Sequence, residues 1–169
     1  VSVFDPARVG VTSPVPATRV LGYPEDHRTL GDCDAQGTLF NCATTMAGVV
    51  FPAGTRSVLF FGRQGLGPYC YGEGSACGDP ASTSKGTHAY PYAYQVWAYD
   101  VLDLILVKNG RKKPWEIRPY RTWTFELPFQ HSSRQLNGVA YDPVKGRVFV
   151  SAAYGDEGRP IIHVFRLAK

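Results

Sequence analysis

The sequence predicts an all-β fold of antiparallel strands with one short helix, and three observations support this prediction. The 169 residues combine eighteen glycines and thirteen prolines with 13% aromatic residues, a mixture typical of short strands separated by many turns. Several segments alternate apolar and polar residues with the period of two that half-buried strands show. Two similar hairpin patterns also recur along the chain, which favours propeller-like blades, with a β-sandwich as the second choice. The length fits a single domain covering 1–169.

The N-terminal segment, 1–45, is predicted to be mostly irregular. Short strand patterns lie at Val1–Phe4 and Thr18–Leu21, and each is followed by a turn signal. Asp32 and Asp34 lie in a turn-rich stretch and resemble an oxygen-ligand set for calcium. The full calcium-loop pattern is missing, however, so turn formation is the preferred interpretation and no other cofactor is expected.

The first blade-like unit is predicted at 46–128. It opens with a hairpin at 46–62, in which β-branched and aromatic residues flank a turn of Pro, Ala, Gly and Thr. A glycine-rich stretch, 63–87, follows without periodicity, and a loop of this length usually has a functional role or is held by disulfides. The next strand is expected at Tyr94–Tyr99, because Pro91 argues against an earlier ladder.

A helix is predicted near 101–109, directly after that strand. Asp100 suits the N-cap position, Asp103 lies in the first turn, and Gly110 suits the left-handed stop after the last turn. The expected buried stripe consists of Leu102, Ile105 and Leu106. The alternating segment Tyr120–Leu127 is then expected to close the first unit.

The second blade-like unit is predicted at 136–168, with a hairpin and a closing strand near Ile161–Leu167. Its hairpin repeats the first one: from Gly48 and from Gly138, each reads glycine, valine, any residue and an aromatic residue, then a turn, an arginine and a hydrophobic strand. Two such units alone would be poorly stabilised. Exposed strand edges are therefore expected to pair with another chain or with a missing part of the same polypeptide.

Four cysteines, at 33, 42, 70 and 77, are expected to form two local disulfides. Three connectivities are open, and the favoured one joins Cys33 with Cys42 and Cys70 with Cys77. Disulfides place the protein in an oxidising compartment, either extracellular or periplasmic. A zinc site using these thiols with His27 or His88 is disfavoured, because the C-x8-C and C-x6-C spacings differ from those of structural zinc sites.

Several function classes are excluded by composition and motifs. A formal charge of +4 without a concentrated basic patch argues against nucleic-acid binding. No apolar run approaches the ~20 residues of a membrane span. The serine-elbow, zinc-protease, phosphate-loop and dinucleotide-binding motifs are all missing.

The preferred functional hypothesis is a non-catalytic carbohydrate-binding module. Sugars present apolar C–H faces and hydroxyl rims, so their sites combine aromatic rings with charged and amide groups. The candidate ligand residues, on the glycine-rich loop and the start of the aromatic stretch after it, are Arg63, Tyr69, Tyr71, Glu73, His88, Tyr90 and Tyr92. The aromatic residues on strands are expected to be core, namely Trp97, Tyr99, Trp123 and Phe125.

Two alternatives remain open. One is a glycoside hydrolase using two of the four carboxylates of Asp100, Asp142, Glu73 and Glu126, although Asp100 also suits a helix cap and Asp142 a turn. The other is a structural subunit that completes a larger assembly through its strand edges.

The motifs T-R-S-V-L-F-F-G-R-Q-G-L-G-P-Y-C-Y-G, H-A-Y-P-Y-A-Y-Q-V-W-A-Y-D and N-G-V-A-Y-D-P-V-K-G-R-V-F-V-S resemble one known group. Over 18–167 the chain is similar to the C-terminal part of secreted bacterial β-propeller-like proteins of uncharacterised function. The resemblance implies a secreted propeller and a chain that is the C-terminal portion of a longer polypeptide. It implies no catalytic residues.

Overall fold

The structure, a computed structural model, describes residues 1–24, 27, 33 and 39–167. In chain order its strands are β1 (Ser2–Phe4), β2 (Ala17–Arg19), β3 (Thr45–Val50), β4 (Ser57–Gly65), β5 (Cys70–Glu73), β6 (Lys85–His88), β7 (Tyr92–Asp100), β8 (Arg121–Phe125), β9 (Leu136–Asp142), β10 (Arg147–Asp156) and β11 (Arg159–Arg166). A 3₁₀ turn at Pro6–Arg8 follows β1, and helix α1 (Val101–Lys108) joins β7 to β8.

Over the described residues the strands form two main sheets and two ribbons, and every pair among them is antiparallel. The first sheet has the order β3-β4-β7-β8, and the second has the order β9-β10-β11. The ribbons are β1-β2 and β5-β6, the latter inserted between β4 and β7. The predicted all-β antiparallel architecture is confirmed, whereas the sheets of the described residues do not close into a propeller.

The core lies between the two sheets, which pack face to face. Alternate residues of the central strands meet there, because side chains on a strand point to opposite faces in turn. The buried members of this interface are Val50, Leu59, Phe61, Tyr94, Val96, Ala98, Leu127, Leu136, Val148, Val150 and Ala152. The first strands of the two sheets approach closely, since a Cβ atom at Gly48 would lie only 2.6 Å from the Cβ of Val139.

The other face of the first sheet is covered by α1 and by N-terminal residues. Trp97 and Tyr99 are fully buried there, as predicted for core aromatics. The indole N–H of Trp97 donates to the Leu39 carbonyl over 2.8 Å, and its ring stacks on Phe40 at 5.2 Å. The Tyr99 hydroxyl lies 2.7 Å from the hydroxyl of Tyr23. These polar contacts satisfy groups that burial would otherwise leave without a partner.

Helix α1 has the predicted limits and cap. The Asp100 carboxylate accepts from the Leu102 N–H over 2.9 Å, and Gly110 has the positive φ (72°) of a helix stop. The predicted buried stripe is wrong, because Leu104 and Val107 are the buried residues. Almost the whole helix is apolar, so contact with the sheet, rather than periodicity, selects the buried face. The described ranges contain no helix with the length and apolar character of a membrane span.

Three other local predictions need correction. The stretch 63–87 contains the β5-β6 ribbon, whose short glycine- and polar-rich strands carry no alternation to detect. The third strand of the first sheet begins at Tyr92, immediately after Pro91, and not near Tyr94. Trp123 is 38% exposed, because its strand, β8, is an edge strand with little beside it.

Candidate ligand-binding cleft

A polar cleft of about 730 Å³ opens between the β5-β6 ribbon, the start of β7 and the turns of the second sheet. Two segments of the glycine-rich stretch meet here, and the turn between β10 and β11 forms the opposite rim. We call it the polar cleft. The residues that decide its chemistry are Arg63, Asp79, His88, Tyr92, His131 and Tyr154.

A buried carboxylate, Asp79, organises the floor of the polar cleft. Its Oδ2 atom lies 2.8 Å from Nδ1 of His88 and accepts the Tyr92 hydroxyl over 2.7 Å. Its Oδ1 atom accepts the Ala81 N–H over 2.9 Å. The Asp79 side chain is fully buried, so these contacts replace the water that a carboxylate needs.

The same contacts set the charge of this pair. Burial alone would raise the pKa of Asp79, but hydrogen bonds from His88, Tyr92 and Ala81 lower it below its usual 3.8. The second ring nitrogen of His88 faces two carbonyl oxygens, those of Gly72 at 3.1 Å and Ser84 at 3.2 Å. Only a doubly protonated ring donates to both sides, so the geometry fits an imidazolium–carboxylate pair.

The loop that carries Asp79 is fastened at its base. A disulfide joins Cys70 to Cys77, with 5.6 Å between their Cα atoms. The Asp79 N–H donates to the Gly74 carbonyl over 2.8 Å, and a side chain at Gly74 would collide with the Ser82 carbonyl. The sequence explains this turn, since aspartate followed by proline favours turn formation and glycine permits the close approach. The Asp79 carboxylate is therefore held in place before any ligand arrives.

Arg63 adds a positive charge above this floor. Its guanidinium lies 4.2 Å from the ring centre of Tyr92, and its Nη1 donates to the Ser133 carbonyl over 3.0 Å. Its buried Nε atom has no hydrogen-bond partner. Within the described ranges, no carboxylate lies within 4.0 Å of this guanidinium. Stacking on an aromatic face holds a guanidinium in one orientation, which leaves its other N–H groups available.

The opposite rim presents an aromatic ring. A bulge between Ala152 and Asp156 interrupts the pairing of β10 with β11, and Tyr154 lies within it at a φ of 58°. Bulges turn a side chain away from the regular alternation of the strand. The Tyr154 ring remains 46% exposed and packs at 5.4 Å against the ring of His131. The imidazole of His131 is in turn fixed by the Ser133 hydroxyl at 2.9 Å.

The residues proposed from sequence divide between two clefts. Arg63, His88 and Tyr92 line the polar cleft. Tyr69 and Tyr71 line a second cleft of about 570 Å³ beside the Cys33–Cys42 disulfide, which we call the tyrosine cleft. Both disulfides have the favoured pairing.

The two remaining candidates lie outside the linings of both clefts. Tyr90 packs edge-to-face on Tyr92, with 6.0 Å between ring centres. Glu73 is exposed on the β5-β6 ribbon, opposite Lys85. The structure therefore brings three of the seven proposed ligand residues into the polar cleft.

Sequence reasoning missed three residues of the polar cleft: Asp79, His131 and Tyr154. The Asp79 signal was an aspartate–proline pair two residues after Cys77, a feature that turns alone also explain. His131 lies in the loop before β9 and Tyr154 lies in the bulge of β10, both more than forty residues from Asp79. Only the packing of the second sheet on the first brings them near it.

The four carboxylates considered for glycoside hydrolysis lie apart. Asp100 caps α1 and pairs with Arg56 at 3.0 Å, while Asp142 holds the β9–β10 turn and pairs with Arg147 at 3.0 Å. The Glu126 carboxylate is 3.6 Å from Arg134. None of the four lines the polar cleft or the tyrosine cleft.

In the described part of the chain, no three histidine, cysteine, aspartate or glutamate side chains lie close enough together to hold a metal ion. The calcium hypothesis for Asp32 and Asp34 falls outside the described residues. The disulfides leave the four cysteine sulfurs without a thiolate for zinc.

The fold is an antiparallel β architecture with a polar cleft beside the β5-β6 ribbon. Comparison with known proteins gave no match: no family model fits the chain, and neither a curated protein nor a solved structure is significantly similar to it.

Proposed function

We propose that the chain is an extracellular binding module that holds a carbohydrate in the polar cleft without catalysis of its own. The observation that carries the proposal is the Arg63 guanidinium, which is stacked on Tyr92, anchored to one carbonyl and unpaired with any described carboxylate. A guanidinium held in this way offers its remaining N–H groups to the oxygens of a ligand.

The rest of the lining supports a polyhydroxylated ligand. Serine and threonine hydroxyls at 82–84, the Thr87 hydroxyl and the Gln135 amide surround the cleft. Such groups exchange hydrogen bonds with sugar hydroxyls, and the exposed Tyr154 ring suits the apolar C–H face of a sugar. A volume of about 730 Å³ lies within the range of known small-molecule sites.

The absence of catalysis is part of the proposal, and the state of the carboxylates supports it. A glycoside hydrolase needs two carboxyl groups roughly 5–10 Å apart, one of them available as an acid or a nucleophile. Asp79 is committed to His88 and Tyr92, with its pKa lowered, so it is poorly suited to donate a proton. Glu157, the other carboxylate of the lining, is exposed on the β10–β11 turn.

We further propose that the two sheets are successive blades of a propeller-like architecture. Each main sheet runs in chain order from one edge to the other, as propeller blades do. Their apolar faces pack together, and their first strands touch at Gly48 and Val139. Extracellular or periplasmic placement is proposed from the two disulfides, since such bonds persist in oxidising compartments.

A glycan array followed by calorimetry tests the binding proposal. The wild-type chain is screened against neutral and acidic oligosaccharides, and the best binder is titrated into two variants. Tyr154→Asn removes the aromatic ring from the polar cleft, and asparagine tolerates the left-handed backbone at this position. Tyr71→Asn is the matched control, since it removes a 66% exposed tyrosine from the tyrosine cleft.

The proposal predicts that Tyr154→Asn raises the Kd about tenfold, equivalent to about 1.4 kcal/mol, because one ring contact is lost. Tyr71→Asn should leave the Kd unchanged, and no reducing sugar should be released. If Tyr71→Asn raised the Kd more than Tyr154→Asn did, the binding site would be the tyrosine cleft and not the polar cleft. Failure of every oligosaccharide to bind would contradict the proposal, and release of reducing sugar would favour the hydrolase.

A further inference from the structure

The internal repeat makes the faces of the two sheets comparable residue by residue. Gly48 on β3 corresponds to Gly138 on β9, and the cross-strand partners of these glycines are Phe61 and Ser151. Cross-strand partners point to the same face of a sheet. The face of the first sheet that contains Gly48 and Phe61 therefore corresponds to the face of the second sheet that contains Gly138 and Ser151.

On the first sheet this face is covered over β3, β4 and β7, while Trp123 on the edge strand β8 remains 38% exposed. Val139 of the second sheet packs on Gly48, where an added Cβ would lie 2.6 Å from the Val139 Cβ and 2.9 Å from its backbone nitrogen. Gly48 has no positive φ, so the glycine is required for space and not for backbone conformation. The neighbours of Gly48 on this face are all buried in the interface between the sheets: Val50, Leu59, Phe61, Val96 and Ala98.

On the second sheet the corresponding face has no cover in the described part of the chain. An added Cβ at Gly138 meets nothing within 4 Å. We call this surface the outer face, and its members correspond in register to the buried set of the first sheet: Gly138, Ala140, Phe149, Ser151, Ile162 and Val164. Ile162 is 64% exposed and Val164 is 53% exposed. Phe149 is half-buried, and the Arg147 guanidinium lies 5.4 Å from its ring centre.

We propose that the outer face binds a third antiparallel sheet, supplied by a partner polypeptide, whose first strand packs a valine onto Gly138. The existing contact of Val139 with Gly48 is the template for this interface. Ile162 and Val164 lie side by side on the edge strand β11, with Val164 paired to Phe149 of β10. A contiguous exposed apolar patch of this kind marks a binding surface.

A second copy of this chain is a poor occupant, since neither of its sheets offers the required surface. The face that presents Val139 is already packed on the first sheet. The opposite face of the first sheet is covered by α1, whose Leu104 and Val107 share a core with Trp97. Two copies of the chain could therefore meet only through their two outer faces. Each outer face presents Gly138, so neither would supply the valine that packs on the glycine in the contact of Val139 with Gly48.

An extended chain tests the proposal. A second copy of residues 134–167 is joined after residue 169 through a Gly/Ser linker of about 20 residues. A strand of eight residues spans ~26 Å, and a flexible linker of this length has a mean end-to-end distance of about 25 Å, which is enough to return along β11. The added copy carries Ile162→Thr and Val164→Thr, so that its own exposed face is polar and the original methyl signals stay distinct.

The measured quantity is the solvent paramagnetic relaxation of the original Ile162 and Val164 methyl groups. Docking should reduce it several-fold in the extended chain. Gly138→Val in the extended chain should restore the relaxation of the unextended protein, because the introduced side chain occupies the space intended for the incoming valine. In the unextended chain the same substitution should not lower the urea midpoint, since nothing lies within 4 Å of the added Cβ and valine favours a strand over glycine.

Two results would overturn the proposal. One is an extended chain whose Ile162 and Val164 methyl groups keep their exposure, or lose it equally with and without Gly138→Val. The other is a dimeric unextended chain, by sedimentation, whose outer-face methyl groups are protected, which would make a second copy the occupant.

Discussion

The buried pair of Asp79 and His88 gives the sharpest stability prediction. Asp79→Asn keeps the shape of the side chain but removes its charge, so the buried ring of His88 loses its only carboxylate partner among the described residues. Breaking a buried pair by neutralising one partner typically costs 3–5 kcal/mol. The asparagine oxygen can still accept the Tyr92 hydroxyl, so we expect a loss near the lower end, about 3 kcal/mol. For a domain of this size that loss lowers Tm by roughly 6–12 °C.

The assay is urea unfolding at pH 7, followed by tryptophan fluorescence, with two companion variants. Tyr92→Phe removes the hydroxyl that donates to the Asp79 carboxylate over 2.7 Å and accepts from the Ala89 N–H over 3.4 Å, and it should cost about 1.5–3 kcal/mol. Asp156→Asn changes an exposed aspartate with no ion pair among the described residues, so it should cost under about 0.5 kcal/mol.

The pH dependence supplies an independent check. Because the folded-state pKa of Asp79 lies below its ordinary 3.8, its contribution to stability is complete above pH 3.8 and is lost as the pH falls through the lower folded-state pKa. The part of the difference between wild type and Asp79→Asn that comes from the Asp79 charge should therefore shrink below about pH 4. A cost below about 1 kcal/mol at pH 7, or a difference that grows on acidification, would refute the reasoning.

Two further predictions concern the core and the loop of the cleft. Trp97→Phe should destabilise the chain by about 2–3 kcal/mol in urea, since it opens a cavity and leaves the Leu39 carbonyl without its donor. Trp115→Phe, at a 44% exposed tryptophan, is the control and should change little; equal costs would contradict the assigned core. Joint replacement of Cys70 and Cys77 by serine should cost about 2.5 kcal/mol by loop entropy and speed amide hydrogen exchange at 74–84. Unchanged exchange there would show that the disulfide does not hold the Asp79 loop.

Local signals predicted the strands of the two main sheets and the ends of the helix, but not the β5-β6 ribbon. The hairpins at β3–β4 and β9–β10 and the Asp100 cap depend on residues adjacent in sequence, so propensity and turn chemistry suffice to find them. The buried face of α1 could not be predicted in this way. Of the eight residues Val101–Lys108, seven are apolar or have an aliphatic side-chain stem, so the sequence pattern does not single out one face. Contact with the first sheet determines that Leu104 and Val107 are the buried residues.

The candidate site was harder to predict because its parts are distant in sequence. Arg63, His88 and Tyr92 stood out as charged or aromatic residues at the ends of a long loop. Asp79 looked like an ordinary turn residue, and its partnership with His88 depends on the pairing of β5 with β6. Tyr154 reaches the cleft only because a bulge in β10 interrupts the regular alternation of that strand.

The measurement that tests the central proposal most directly is a titration of the ¹⁵N-labelled chain with the best-binding oligosaccharide, followed by amide chemical shifts. Binding in the polar cleft predicts that the shifted signals cluster at Arg63, Tyr92, Ser133 and Tyr154, with little change at Tyr69 and Tyr71. Shifts confined to the tyrosine cleft, or an absence of shifts with every oligosaccharide on the array, would contradict it.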